Sequence, residues 1–271
     1  MFRKELFDLY KKLSMPSNEI SAEIAMIYDY CGINALKEIK DGLTKQEEDS
    51  VRELVYKRIQ TGMPLQYLLG FGYFMGEKYY VDENTLIPRP ETEILVREAA
   101  KLINSDCTVL DIGTGTGCIA IGLAKLTKAK IDAVDISLNA LKIAEKNAKL
   151  HKVNCNFFYS DLFSNIKRKY DMIISNPPYI PMKDISKTEN HVKNFEPHAA
   201  LFTNDEIGVE FYEKITEKSV TFLNKNGYLC FEAGCNQADI ISKIFQRKGF
   251  TNIEIKKDFD NIERVIIAKY F

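Results

Sequence analysis

From residue 108 onward the sequence alternates short β-rich runs with helical stretches, and this alternation limits the fold more than any other feature. The runs cover residues 108–112, 130–135, 156–159, 171–175, 228–232, 252–255 and 264–268. Helices fit residues 117–126, 138–151, 209–222 and 237–248. Such alternation predicts an α/β chain with a doubly wound sheet, helices covering both faces. Seven runs predict seven strands. Residues 256–263 are too few for a helical crossover, so the last two runs should form an antiparallel hairpin at a sheet edge.

The first seventy residues have a different character and read as helices. Ser17 and Asn18 precede a stretch with Ile20, Ile24 and Ile27 on one face, and Gly32 is a plausible stop. Thr44-Lys45-Gln46-Glu47 has the form of a capping box. Val51, Leu54, Val55 and Ile59 follow as an apolar stripe, ended by Gly62. Gly and aromatic residues then cluster over residues 70–81, which suits a hairpin. Pro88 and Pro90 break helical structure before Pro90 opens the next helix. These shifts divide the chain into a helical domain at 1–70, a hairpin linker at 71–88 and an α/β domain at 89–271.

Composition narrows the partners. The 37 basic and 38 acidic residues leave a formal net charge of −1, so no bulk charge draws this chain to nucleic acid or an anionic membrane. Its six cysteines include no C-x-x-C pair and there are only three histidines, so zinc-site spacing is missing. Arg3, Lys4 and Glu5 stand where a signal peptide needs an apolar core. No apolar run approaches the ~20 residues of a membrane span. These features predict a reduced, cytoplasmic protein with free thiols.

Three motifs carry chemistry. The first, Asp111-Ile112-Gly113-Thr114-Gly115-Thr116-Gly117, takes a strand through a Gly-rich turn into a helix. Glycines let backbone approach a ligand closely. Asp135 closes the second strand at about the ~20-residue spacing where a carboxylate meets a ribose diol. A carboxylate at Asp111 would repel phosphate and could accept from an ammonium group. The pair therefore favours S-adenosylmethionine, which has an amino-acid tail, a ribose and no phosphate, over a dinucleotide.

The second motif is Asn176-Pro177-Pro178-Tyr179, at the C-terminal end of the fourth run. Pro177 and Pro178 fix the backbone and offer no amide donor. The Asn176 side-chain carbonyl and a backbone carbonyl at Asn176 or Pro177 offer two acceptors, and Tyr179 offers a flat face. Two acceptors beside a plane suit a planar NH₂ group. Holding such a nitrogen toward a sulfonium methyl answers the poor nucleophilicity of a delocalised lone pair. The third motif, Ser160-Asp161-Leu162-Phe163, follows the third run. Asp161 either accepts from an adenine amino group, with Leu162 and Ile136 covering the ring, or simply caps a helix.

The first two motifs together resemble the class I S-adenosylmethionine-dependent methyltransferases of the N-P-P-Y type, whose members act on DNA adenine, rRNA guanine or protein glutamine. More specific are Ile87-Pro88-Arg89-Pro90-Glu91-Thr92-Glu93, Phe195-Glu196-Pro197 with Ala200-Leu201, Phe231-Glu232-Ala233-Gly234 and Asn261-Ile262-Glu263-Arg264-Val265. These, with Gln66-Tyr67-Leu68-Leu69-Gly70, resemble the release factor glutamine methyltransferase family of the HemK/PrmC type, over nearly the whole chain. The resemblance implies a Rossmann-like methyltransferase sheet and S-adenosylmethionine as cofactor. It implies methylation of the side-chain amide of the glutamine in the Gly-Gly-Gln motif of class 1 peptide chain release factors, with the helical module helping to hold the factor. By position, Gly113, Thr114, Gly115, Thr116, Gly117, Asp135, Leu162 and Asn176 are the expected cofactor contacts, and the chemistry of the motifs adds Asp111, Ile136 and Asp161. Asn176, Pro177, Pro178 and Tyr179 are expected to hold the glutamine, with Asn176, Pro177 and Tyr179 as the catalytic residues and no metal. Arg89 and Glu91 either line a cleft between modules or anchor a linker, and His198 reads as structural. The expected partner is a release factor, with no stable nucleic-acid binding, no membrane and a monomeric chain. Two other readings stay open: an amino methyltransferase acting on DNA adenine or rRNA guanine, and a cofactor-binding scaffold without turnover.

Overall fold

A computed structural model describes residues 2–13, 15–34, 38 and 42–271, in two compact units, Met1–Gly70 and Phe71–Phe271. The helical reading of the N-terminus also takes in residues 1, 14, 35–37 and 39–41, which lie outside the described residues. The first unit contains α1 (Phe2–Tyr10), α2 (Ser17–Tyr30), α3 (Lys45–Thr61) and α4 (Leu65–Leu69). In α2 the helix begins at Ser17, earlier than the sequence suggested, because the Pro16 carbonyl accepts from Ile20 N–H at 3.1 Å. Ile20, Ile24 and Ile27 are buried as a stripe. The capping box forms: Glu47 N–H donates to Thr44 Oγ1 at 3.2 Å, and Thr44 N–H donates to Glu47 Oε2 at 2.8 Å. The buried face of α3 differs from the expected apolar stripe. Val51 and Val55 are buried, and so is Arg58, while Leu54 and Ile59 are only half-buried. Arg58 is tolerated there because its Nε donates to both Glu23 carboxylate oxygens at 3.1 Å, which compensates a buried charge.

The second unit opens with β1 (Phe71–Phe74) and β2 (Glu77–Tyr80), an antiparallel hairpin. Met75 and Gly76 turn it with φ of 52° and 77°, the doubly left-handed geometry whose twist suits a two-residue hairpin loop. α5 (Pro90–Ala100) then leads into β3 (Thr108–Ile112), α6 (Cys118–Thr127), β4 (Lys130–Asp135), α7 (Leu138–His151), β5 (Cys155–Tyr159) and β6 (Tyr170–Ser175). An excursion follows: β7 (Ile180–Pro181), α8 (Asn190–Phe195) and β8 (Phe202–Thr203). β7 and β8 form a two-residue parallel pair that no sequence pattern announced. α9 (Glu210–Phe222), β9 (Leu223–Glu232), α10 (Ala238–Arg247), β10 (Phe250–Lys257) and β11 (Glu263–Tyr270) complete the chain.

The large sheet has seven strands in the order β10-β11-β9-β6-β3-β4-β5. Six run in one direction, and β11 runs antiparallel to both its neighbours, giving the edge hairpin. Alternate residues of each strand feed two cores. Val109, Ile131, Met172 and Cys230 pack with Leu95, Ile119 and Leu123 of α5 and α6. Leu110, Val134, Ile173 and Leu229 pack with Tyr212, Ile215 and Phe245 of α9 and α10. The fold is thus the doubly wound α/β sheet expected, with strand β9 extending five residues further toward its N-terminus than its apolar run. No helix among the described residues is long and apolar enough to cross a membrane.

Strand order places the functional edge. The chain runs outward from β3 through β4 to β5, then crosses back to β6 on the other side of β3. The crevice at the carboxyl ends of β3 and β6 is the switch point where open α/β sheets bind ligands. Gly117 starts α6 there with φ of 81°, and a Cβ on it would lie 3.1 Å from Ala144 Cβ and 3.2 Å from Ile121 Cδ1. Gly117→Ala is therefore expected to cost about 1–2 kcal/mol from the left-handed backbone alone, with crowding against α7 added. A urea unfolding curve reads this as a lower midpoint at unchanged slope.

Candidate active site

A cavity of about 480 Å³ opens at the carboxyl edge of β3, β4 and β6. Ile112 to Thr116 form one wall, Asp135 to Ser137 a second, Ser160 to Leu162 a third, and Ser175 to Pro178 a fourth. Backbone hydrogen bonding fixes the first wall. Gly113 and Thr114 N–H both donate to the Val134 carbonyl, at 2.9 and 3.0 Å, and Gly117 N–H donates to the Thr114 carbonyl at 2.8 Å. Gly115 N–H donates to Asp135 Oδ2 at 2.8 Å. Gly113, Thr114, Gly115 and Gly117 thus direct their N–H groups into the protein, whereas a phosphate cradle needs them free.

Asp135 is half-buried, and burial pushes its carboxyl above the ordinary range, opposed by hydrogen bonds from Ser137 and Gly115. Ser137 N–H donates to Oδ1 at 2.9 Å. Each oxygen takes one backbone donor and keeps lone-pair capacity for a hydroxyl. Ile136 is 56% exposed on the cavity rim, and Leu162 faces the same space with φ of 47°. A left-handed leucine is uncommon and collects at binding sites. Ser160 Oγ holds it by donating to the Leu162 carbonyl at 2.8 Å. Asp161 is exposed on the wall. Its carboxylate caps no helix, because the turn at Asp161 is closed instead by its N–H donating to Ser164 Oγ at 3.0 Å.

Three sequence-predicted residues lie elsewhere than expected. Asp111 is wholly buried behind the loop and is absent from the cavity wall. Its Oδ2 accepts from Thr114 Oγ1 at 2.6 Å, Oδ1 has no hydrogen-bond partner among the described residues, and burial pushes its carboxyl up to about 7. It braces the glycine loop from below. Gly117 likewise belongs to the helix junction. Tyr179 is not on the wall either; burial pushes its phenol up to about 12. Its carbonyl accepts from Gln237 Nε2 at 3.0 Å, and the same amide group reaches the carbonyls of Ile207 and Gly208 at 3.0 and 3.2 Å. This close approach requires Gly208, since a Cβ there would sit 2.0 Å from the Tyr179 oxygen.

Asn176 is on the wall. Its Nδ2 donates to Thr92 Oγ1 at 3.3 Å, and Thr92 Oγ1 donates to Glu232 Oε2 at 2.6 Å. Asn176 Oδ1 has no protein partner among the described residues. Burial pushes Glu232 up to about 7, against the Thr92 hydrogen bond and the charges of Arg264 and Arg89. Sequence reasoning assigned no role to Thr92, Glu232 or Gln237. The available signal was a glutamate ending the apolar run at 228–232 on the functional edge of the sheet. Arg89 lines the cavity and pairs with the buried Glu196 at 2.5 Å, tying the start of α5 to the excursion after β7. His198 is structural: its Nε2 meets the Lys193 carbonyl at 2.7 Å and its ring packs edge-on against Phe202.

The charged groups on the wall are the carboxylates of Glu83, Asp135 and Asp161 and the guanidinium of Arg89, already engaged by Glu196. Among the described residues a phosphate there would meet three carboxylates and no free cation. A ligand with a cationic centre, a ribose and an adenine ring fits this donor set.

Comparison with known proteins agrees with that chemistry. Residues 90–201 match the Methyltransferase small domain family. The chain is 40% identical over 226 residues to a release factor glutamine methyltransferase of Flavobacterium psychrophilum, covering 80% of this chain and 79% of that protein. It is 35% identical over 280 residues to the protein of that name in Koribacter versatilis, covering 99% of each. Against the Fusobacterium nucleatum protein of the same name it is 40% identical over 239 residues, 86% of this chain and 66% of the relative's length. Among solved structures it resembles a methyltransferase from Pyrococcus furiosus, with TM-score 0.55 and 17% identity over 72% of this chain and 90% of that one. It also resembles the T. thermophilus 16S rRNA N2 G1207 methyltransferase solved with AdoMet and guanosine, with TM-score 0.53 and 14% identity over 74% and 50%. At these identities the two structures support the fold alone.

Proposed function

Because this chain belongs to the release factor glutamine methyltransferase family, we propose that it methylates the side-chain amide nitrogen of the glutamine in the Gly-Gly-Gln motif of class 1 peptide chain release factors. S-Adenosylmethionine supplies, when bound, an electrophilic methyl group on a sulfonium. Asp135 holds the ribose hydroxyls through the lone pairs left by Gly115 and Ser137. Ile136 and Leu162 cover the adenine ring, and Asp161 accepts from its amino group.

The observation that carries the reading is Asn176, with its amide nitrogen tied to Thr92 and its Oδ1 unpaired on the cavity wall. Oδ1 accepts one N–H of the glutamine amide, and a backbone carbonyl at Asn176 or Pro177 accepts the other. Pro177 and Pro178 carry no N–H that would compete for those oxygens. Acceptors on both N–H bonds draw charge toward a nitrogen whose lone pair is otherwise delocalised, and they stabilise the positive charge that grows on it. Tyr179, through its carbonyl contact with Gln237, anchors the end of the turn. The helical unit helps hold the release factor.

The test is transfer of labelled methyl from S-adenosylmethionine to separate pools of release factor, DNA and rRNA. Label is expected in the release factor and at its Gly-Gly-Gln glutamine by peptide mass. Label in DNA or rRNA alone overturns the reading in favour of a nucleic-acid amino methyltransferase, and no label in any pool favours a scaffold without turnover.

A further inference from the structure

Thr92 stands at a junction that fixes the direction of a hydrogen-bond chain. A hydroxyl has one proton and two lone pairs. With Glu232 ionised, that proton goes at Thr92 to Glu232 Oε2 at 2.6 Å, so toward Asn176 the oxygen can only accept. The one end of the Asn176 amide able to donate is Nδ2, found 3.3 Å away. Turned by half a rotation, the amide would set Oδ1 against an oxygen with no proton to give. Thr92 and Glu232 are 3% and 2% exposed, so the preference is felt in a site of low polarity where an unmade hydrogen bond is costly.

The three residues come from separate elements. Thr92 lies in the first turn of α5, Glu232 ends β9, and Asn176 follows β6. We propose that Glu232 and Thr92 are positioning residues that hold the Asn176 side-chain amide in one of its two orientations, with Oδ1 presented to the substrate amide. The carboxylate sets the hydroxyl, the hydroxyl sets the amide, and the amide then offers an acceptor rather than a donor. A donor at that place would face the N–H groups of the glutamine. This inference rests on the glutamine reading above.

The test compares kcat at saturating release factor and S-adenosylmethionine in five proteins: the unsubstituted enzyme, Thr92→Val, Thr92→Ser, Glu232→Leu and the pair Thr92→Val with Glu232→Leu. Thr92→Val keeps shape but loses the hydroxyl. Glu232→Leu frees the Thr92 proton to donate to Oδ1, which admits the wrong orientation. Each is expected to lower kcat about tenfold, as the loss of one net hydrogen bond would, with cofactor affinity by calorimetry unchanged. Thr92→Ser restores most of the kcat. The pair Thr92→Val with Glu232→Leu is expected to be no slower than Thr92→Val alone, because both act through one amide. A merely structural role predicts instead that melting temperature falls and kcat does not, or that the two losses add; either result overturns the proposal. So does a Thr92→Ser enzyme as slow as Thr92→Val. Transfer by the unsubstituted enzyme with an unimpaired Thr92→Val discards the relay alone. Absence of transfer to release factor by the unsubstituted enzyme overturns the glutamine reading and this inference with it.

Discussion

Asn176→Ala is expected to lower kcat for release factor methylation by about 10²–10³-fold, the loss seen when one preorganised group is removed from a reacting centre. The size follows from what the side chain does. Its Oδ1 is the unpaired acceptor on the cavity wall, and its Nδ2 is already committed to Thr92. Alanine removes the acceptor and leaves the nucleophilic nitrogen free to rotate away from the methyl group. The residues proposed for the adenine and ribose, Asp135, Ile136 and Leu162, lie on other walls of the cavity, so cofactor binding should largely survive. Single-turnover kinetics with calorimetry separate the two effects. A variant that turns over at the normal rate, or one that loses cofactor and rate together, removes Asn176 from the role assigned to it.

Asp135→Ala is expected to weaken S-adenosylmethionine binding by about 10²–10³-fold, from the loss of one or two hydrogen bonds to a charged group. Two causes act together. The carboxylate is the acceptor proposed for the ribose hydroxyls, and it also holds Gly115 N–H at 2.8 Å and Ser137 N–H at 2.9 Å. Without it the glycine loop loses one of its ties to β4, and two backbone donors on the cavity wall lose their partner. Calorimetric titration measures the affinity directly. An unchanged dissociation constant shows that the ribose is held elsewhere.

Local patterns in the sequence were enough for the sheet and for residues on all four walls of the cavity. The β-rich and helical periods are short-range signals, and the spacing from the glycine turn to Asp135 carries the Gly115 contact with it. What escaped has a longer reach. Thr92 meets Glu232 across 140 residues and Asn176 across 84, and no periodicity connects such positions. Asp111 misled for another reason: its type suggests a ligand group, but its place in a central strand puts it wholly inside. Arg58 shows the same limit, since its burial depends on Glu23 in a neighbouring helix. β7 and β8 have two residues each, too few to show any alternation.

The paired prolines after Asn176 have a consequence for chemical ageing of the substrate. Two successive prolines remove two N–H groups from this turn, so acceptors outnumber donors on the surface it presents. Glutamine side chains deamidate with time, and the product is a glutamate of almost the same size. Its carboxylate brings lone pairs and a negative charge to a surface of lone pairs, and the acceptors go unmatched. A site built to hydrogen-bond a group rejects an analogue that lacks it far more strongly than shape alone allows. If the turn holds the substrate amide as proposed, damaged release factor is expected neither to be modified nor to occupy the enzyme.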